Sequence, residues 1–182
     1  NVAIEGRNEV PIAGDDAFTM TGNTPITFTA AQLLGNDTDP DGPASGLTIT
    51  GVSAGANGTV VNNGDGTFTF TPTTGFQGAA SFTYTVSDPD GGTDTGTVNL
   101  TVSGLVWYVD NSYAGANGAP DGSFQRPFTQ LTQLNGVTGD GSTTDDVDGA
   151  GNTIFVANTG VNYVGGIALE ADQKLFGDGH EF

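Results

Sequence analysis

Seven stretches in the first part of the chain place an apolar side chain at every second position and fill the gaps with threonine or serine: AFTM, ITFT, LTITGVS, GTVVN, TFTFTP, ASFTYTVS and TGTVNLTVS. Successive side chains of a strand point to opposite faces, so a period of two marks a strand with one face buried. The segments between them, TGNTP, NDTDPDG, NNGDG, TGFQG and DPDGG, are turn chemistry. Short strands broken this often predict an all-β chain that folds as an antiparallel Greek-key β-sandwich. Helix is predicted only as one short turn over TAAQLLGN, residues 29–36.

The same pattern assigns the loops to ends of the sandwich. If the strands run up and down in turn, the second, fourth and sixth loops fall at the end where the chain comes in. Those loops are NDTDPDG, NNGDG and SDPDGGTD, and the incoming chain itself carries GDDAF. Asp15, Asp16, Asp37, Asp39, Asp41, Asp65, Asp88, Asp90 and Asp94 are therefore expected at one pole. The loops of the other pole, TGNTP, AGAN and TPTTGFQG, contain no acid. Carboxylates crowded together repel unless they are protonated, separated by solvent or share a cation. The expected cation is calcium, which takes about six to eight oxygens from carboxylates and carbonyls, with glycine where the loop tightens. Asp37, Asp39, Asp41 and Gly42 match the first half of an EF-hand loop. The second half fails, because Thr48 stands where the closing glutamate belongs and Pro40 and Pro43 exclude the flanking helices. An ion here must complete its shell from neighbouring loops. The alternative reading of each loop is that Asp-Pro, Asp-Gly and Asn-Asp are good turn formers and nothing more.

Charge narrows the partners. The 182 residues carry 21 acidic against three basic side chains, a formal net charge of -18. That field repels phosphate backbones and anionic lipid, which argues against nucleic acid and against direct membrane insertion. All the acids but Glu5, Glu9, Glu170 and Glu181 are aspartates, the shorter acid that favours turns. Cysteine is absent, which fits either a reducing compartment or an exported bacterial protein stabilised by metal. No apolar run reaches membrane-spanning length and no signal peptide opens the chain, so a segment of a longer protein is expected. IEGR at 4–7 has the form of a Factor Xa cleavage site, either natural or introduced by cloning.

From PIAGDDAF through LLGNDTDPDG, LTITGVS, NGTVVNNGDGTFTFTPTTGFQG and SFTYTVSDPDGGTDTGTVNLTV, residues 11–103 resemble the cadherin-like repeats found in tandem in very large bacterial surface proteins and adhesins. The resemblance implies a cadherin-like or Ig-like sandwich. It also implies a rod of neighbouring repeats of the same chain, stiffened by calcium at the junctions. The ligands it implies are Asp15, Asp16, Asp37, Asp39, Asp41, Asp88, Asp90 and Asp94. A secreted or cell-surface location follows, with a cell-surface glycan or protein as a further partner. Residues 1–10 then read as a linker or cloning-derived lead-in.

After TVSG the character changes. LVWYVD opens residues 104–182 as an apolar strand, a glycine-rich loop follows, and PFTQLTQLN predicts a short amphipathic helix. NTIFVAN, VNYVGGIALE and KLFGDG then predict three short strands. This progression, with its GSFQRPF turn, resembles the amino-terminal cap and first coils of right-handed parallel β-helix proteins of the pectate-lyase-like group. Some of those proteins are polysaccharide lyases or hydrolases, and an accessory sandwich on such an enzyme is the alternative to a calcium-stabilised structural or adhesive module. Nothing specifies catalysis here. His180 has no nucleophile partner at a recognisable spacing, Arg126 and Lys174 read as structural or solvent-facing, and Trp107 and Tyr108 read as cap-filling before sugar-stacking. Asp145, Asp146 and Asp148 read as a solvated acidic loop before a second cation site.

Overall fold

The computed structural model describes residues 6–134, 152–157, 174–177 and 180–181. All seven strands expected in the first part of the chain form: β1 (Asp16–Gly22), β2 (Ile26–Thr29), β3 (Thr48–Ala54), β4 (Gly58–Asn62), β5 (Thr67–Pro72), β6 (Gly78–Ser87) and β7 (Thr93–Val109). The one short helix, α1 (Ala30–Leu33), forms where TAAQLLGN predicts it. Thr29 caps it by accepting from the Gln32 amide at 3.3 Å, while the Gln32 side chain accepts from the Thr29 amide at 2.9 Å. That reciprocal pair satisfies two amides that a helix start otherwise leaves bare. A single 3-10 turn, Leu34–Asn36, leads from it to the first acidic loop.

The chain divides into two compact units. The first comprises residues 1–20, 26–71 and 79–101. Its strands make two sheets, β1-β7-β6-β3 and β2-β5-β4. β2 runs antiparallel to β5 with Phe28 opposite Phe68, and β3 runs antiparallel to β6 with an irregularity between Ile49 and Gly51. The alternation seen in the sequence becomes burial: along β5, Phe68 and Phe70 point inward, and along β6, Phe82, Tyr84 and Val86 do. The rings meet between the sheets, Phe28 to Phe82 and Phe70 to Phe82 both at 5.8 Å. Each such buried ring contributes about 1.5–3 kcal/mol relative to exposure.

The second unit comprises residues 21–25, 72–78 and 102–182. β7 does not stop at the TVSG break. Gly104 takes φ +67 and the strand continues through Val109. Only glycine enters that region readily, so the break in pattern is an irregularity within one strand and not its end. β8 (Thr153–Val156) pairs parallel with β7, and β9 (Lys174–Gly177) pairs parallel with β8, with Trp107 beside Ile154 and Ile154 beside Leu175. β10 (His180–Glu181) pairs antiparallel with β9. Leu105, Trp107, Val109, Phe128, Leu134 and Ile154 form the core of this unit. Trp107 stacks on Phe128 at 6.0 Å, so it fills a core as the sequence reading favoured. Gly122, at φ +78, lies where a Cβ would meet both rings, which explains the glycine of the GSFQRPF turn. In place of the predicted amphipathic helix, the described residues show one 3-10 turn, Leu131–Gln133, in which the Gln133 side chain accepts the amides of Thr129 and Gln130. With the Thr129 hydroxyl, which donates to the same oxygen at 3.1 Å, three neighbouring donors converge on one glutamine and hold the chain in that tight turn. VNYVGGIALE, the loop of Asp145, Asp146 and Asp148, and the His180 side chain lie outside the described residues.

Candidate functional site

The lead-in segment, residues 8–14, runs past the acidic loops of the first unit and is held by them. The Glu9 amide donates to Asp41 Oδ2 at 2.9 Å, the Ala13 amide to Asp94 Oδ2 at 2.9 Å, and the Gly14 amide to Asp37 Oδ1 at 2.8 Å. The Asn8 side chain donates to Asp88 Oδ2 at 3.2 Å. Ile12 exchanges both backbone hydrogen bonds with Thr38, at 2.8 and 3.0 Å. Loops far apart in sequence thus meet on one short segment, which pins Asp37, Asp41, Asp88 and Asp94 in place. Asp15 joins through Thr97, whose amide donates to its Oδ1 at 3.0 Å, and Asn36, which donates to its carbonyl at 3.0 Å.

The three alternate aspartates of NDTDPDG do not turn to one point. Asp37 is buried, Asp39 half-buried and Asp41 exposed. Asp37 faces the end of the core, where the Tyr84 hydroxyl lies 3.0 and 3.2 Å from its two oxygens. The same hydroxyl is 3.1 Å from the Gly14 carbonyl and 3.0 Å from the Leu33 carbonyl. A phenol carries one hydrogen, so four acceptor oxygens compete for a single donation. Burial, followed by Asp37, holds the Tyr84 phenol far above its usual range, so it stays protonated.

Asp16 adds a fifth oxygen to this nest of acceptors. Its Oδ2 is buried and has no hydrogen-bond partner. Its pKa is pushed up to about 6, by burial first and then by the charge on Asp37, with Tyr84 pulling the other way and Asp15 adding to the rise. A buried carboxylate oxygen without a donor is costly, and it fits either a proton or a cation. Asp39 is also raised, by desolvation first, then by the Asp41 side chain and the charges of Asp41 and Asp88. Asp88 moves the other way. Desolvation pushes it up, but donation from Gly92, Asn8, Asp90 and Gly91 outweighs that and leaves it lowered. Asp88 is thus also the turn-former of its own loop, accepting the Asp90 and Gly92 amides at 2.9 and 2.8 Å. Asp90 itself is exposed. Asp65, expected at the same pole, is bonded within its own hairpin to Thr67 at 2.6 Å.

Among the described residues, no group of three or more acidic or histidine side chains is close enough to hold a metal ion as it stands. Several of the carboxylates are turned toward backbone amides, those of Glu9, Ala13, Gly14, Asp90, Gly92 and Thr97. The donor set still suits a hard, oxygen-seeking cation, because every atom of the nest is oxygen and one lacks any partner. Tyr84, Gly92 and Gly96 were not singled out from the sequence. Gly96 is needed because a Cβ there would come within 2.6 Å of the Tyr84 hydroxyl.

Residues 7–103, just over half the chain, match the cadherin-like domain family, and the chain belongs to it. Within the matched region the strands form two separate sheets, β1-β7-β6-β3 and β2-β5-β4, an arrangement that fits a sandwich. No curated protein matches the chain. Among solved structures, it is similar to a nucleoside hydrolase-related hypothetical protein from Saccharophagus degradans, at 13% identity and TM-score 0.34, over 53% of this chain and 26% of that one. A putative alpha-galactosidase from Bacteroides fragilis gives 10% identity and TM-score 0.34, over 86% and 30%. An endo-fucoidan hydrolase from glycoside hydrolase family 107 gives 24% identity and TM-score 0.33, over 57% and 14%. The chain spans less than a third of each of these structures, and at such scores none of them bears on its function.

Proposed function

We propose that this chain is a calcium-stabilised structural or adhesive module of a large exported bacterial surface protein. The observation that supports it most is the oxygen nest at the incoming pole, where the Tyr84 hydrogen is shared among four acceptors and Asp16 Oδ2 has no partner. Asp15, Asp16, Asp37, Asp39, Asp41, Asp88, Asp90 and Asp94 would supply the ligands. A bound calcium would contribute positive charge at this acidic pole. Asp88 and Asp37 do double duty in this reading, since each also fixes local backbone. Family membership supports an adhesive or structural role at the cell surface.

The three parallel strands β7, β8 and β9, in register, support the reading of the second unit as the first coils of a right-handed β-helix. Neighbouring repeats of the same chain would be the first partners of the module, and a cell-surface glycan or protein the next. The enzyme alternative finds less support. In the described part of the second unit, Asp121 is engaged by Ser123, Thr74 and Arg126, so its carboxylate serves the turn. Small-angle scattering of a longer native chain carrying one preceding repeat tests the role. A longer, narrower particle in calcium than in chelator supports a stiffened stalk. Equal dimensions together with cleavage of an acidic polysaccharide would replace it with the enzyme.

A further inference from the structure

The outward face of the parallel strands in the second unit is aromatic. Side chains alternate across a strand, so with Trp107, Ile154 and Leu175 packed in the core of that unit, their chain neighbours Tyr108, Phe155 and Phe176 point the other way. The register sets these three side by side on neighbouring strands, and each is half-buried. The next row along the same face holds Val106, Thr153 and Lys174. Neither row carries an acid, in a chain that has 21 of them.

One end of the aromatic row is a corner. Phe124, 58% exposed, stands edge-on to Tyr108, with ring centroids 5.3 Å apart and an interplanar angle of 76°. Backbone holds that corner in shape: the Phe124 amide donates to the Asn23 carbonyl at 3.1 Å, and the Asn23 side chain accepts from the Gly75 amide at 2.7 Å. Thr24, next in the chain, brings its hydroxyl to 3.0 Å from the Tyr108 hydroxyl. Two hydroxyls bonded to each other spend one hydrogen and keep the second, with lone pairs to spare. An exposed ring beside hydroxyls with unspent capacity suits a ligand that has apolar C–H faces and a hydroxyl rim, which is a pyranose ring.

Charge selects among occupants. A second copy would bring another net charge of -18 against this one, and an acidic polysaccharide meets the same repulsion. Arg126, on the loop of Phe124, is already engaged by Asp121, so it is not there to receive a carboxylate. The rings of Tyr108, Phe124, Phe155 and Phe176 also fall well short of the roughly 20–30 residues a side of a stable protein interface. We infer that the corner of Tyr108, Phe124 and Thr24, continued along Phe155 and Phe176, is a binding site for a neutral glycan built of pyranose rings. Neighbouring strands lie about 4.8 Å apart, close to the step between sugars in an extended polysaccharide, so successive rings of the row can meet successive sugars. The inference rests on the adhesive reading above for its target, and on no bound cation.

Titration calorimetry of the full chain with cellohexaose, laminarihexaose, maltohexaose and mannohexaose tests it, in chelator and again in calcium, with oligogalacturonate as the acidic probe. At least one neutral hexaose should bind in both buffers, and oligogalacturonate about tenfold more weakly or not at all. Phe124→Ala removes an exposed ring and should lower the affinity by about tenfold or more, with an unchanged Tm certifying the fold. Tyr108→Phe keeps the ring, loses the hydroxyl and should lower affinity by less. Val61→Ala, at an exposed side chain of the first unit, is the control and should change nothing. No binding of any neutral hexaose at millimolar concentration overturns the inference, as does binding unaltered in Phe124→Ala. Dimerisation of the chain that Phe124→Ala abolishes assigns the row to a second copy and overturns it too. Chromatography of the recovered probe separates this site from the adhesive reading: an intact hexaose supports both, whereas a shortened one replaces adhesion with the enzyme and leaves the site standing.

Discussion

Removing the Tyr84 hydroxyl should cost more than an ordinary buried hydrogen bond. In Tyr84→Phe the ring keeps its place in the core and one oxygen is lost. That oxygen carries the hydrogen facing both oxygens of Asp37, at 3.0 and 3.2 Å, and Asp37 is only 3% exposed. A hydrogen bond to a charged group contributes about 1.5–3 kcal/mol, and a buried acceptor stripped of its donor bears its desolvation unrelieved. The Gly14 amide still donates to Asp37 Oδ1 at 2.8 Å, which keeps the loss within that range. A destabilisation of about 2 kcal/mol follows, a fall in Tm of roughly 8–16 °C for a domain of this size. Urea denaturation in chelator, followed by far-UV circular dichroism, measures it, with an unchanged m-value certifying that the same surface unfolds. Pairing the change with Asp37→Asn in a double-mutant cycle should show a coupling above about 1 kcal/mol. A loss under about 0.5 kcal/mol, or independent effects of the two changes, would refute the assignment of Tyr84 as the main donor to Asp37.

Three further outcomes follow from the same geometry. In chelator, the stability contributed by Asp16 should be complete below its unfolded pKa of 3.8 and lost as pH rises through its folded value of about 6, because the folded chain holds the proton more tightly; Asp16→Asn should flatten that part of a stability-against-pH curve. Asp39→Ala and Asp88→Ala should each weaken calcium binding in calorimetry while Asp145→Ala leaves it alone, and Asp88→Ala should also lower the Tm because the Asp90 and Gly92 amides lose their acceptor; equal loss from all three would point to bulk charge. Gly122→Ala should destabilise the second unit by about 2 kcal/mol or more, through its positive φ and the clash with Trp107 and Phe128, and the fluorescence of Trp107, the single tryptophan, reports it; an unshifted transition would contradict that packing.

The strands were legible because alternation is local. Phe68, Phe70, Phe82 and Val86 needed only their own neighbours in sequence to declare an inward face. The acidic loops could be brought to the incoming segment by counting strands, and the bonds of Asp37, Asp41, Asp88 and Asp94 to residues 8–14 follow that expectation. What each carboxylate does was not legible. Asp37 and Asp39 look equivalent in NDTDPDG, yet one faces the core and the other does not, since that depends on Tyr84, 47 residues away. Tyr84 reads in FTYTV as one more inward aromatic. Its hydroxyl becomes notable only when the Gly14 and Leu33 carbonyls are placed beside it. Gly92 was hidden by Gly91, since turn chemistry explains one glycine, while the second is explained by the nearness of the Asp88 carboxylate and of the lead-in segment. The continuation of β7 through Gly104 was hidden for a related reason, a positive φ that reads as a stop when it is an irregularity in a longer strand.

The central claim is that a cation completes the oxygen nest at the incoming pole. Thermal unfolding of the chain in excess chelator, in calcium and in magnesium tests it most directly. A ligand that binds only the folded form adds about 2.7 kcal/mol at a hundred times its Kd, which raises Tm on the order of ten degrees. Magnesium should do much less, because it gives up its water reluctantly and holds to octahedral geometry. The account predicts a Tm that climbs with calcium concentration and little with magnesium. A Tm identical in chelator and in millimolar calcium would contradict it.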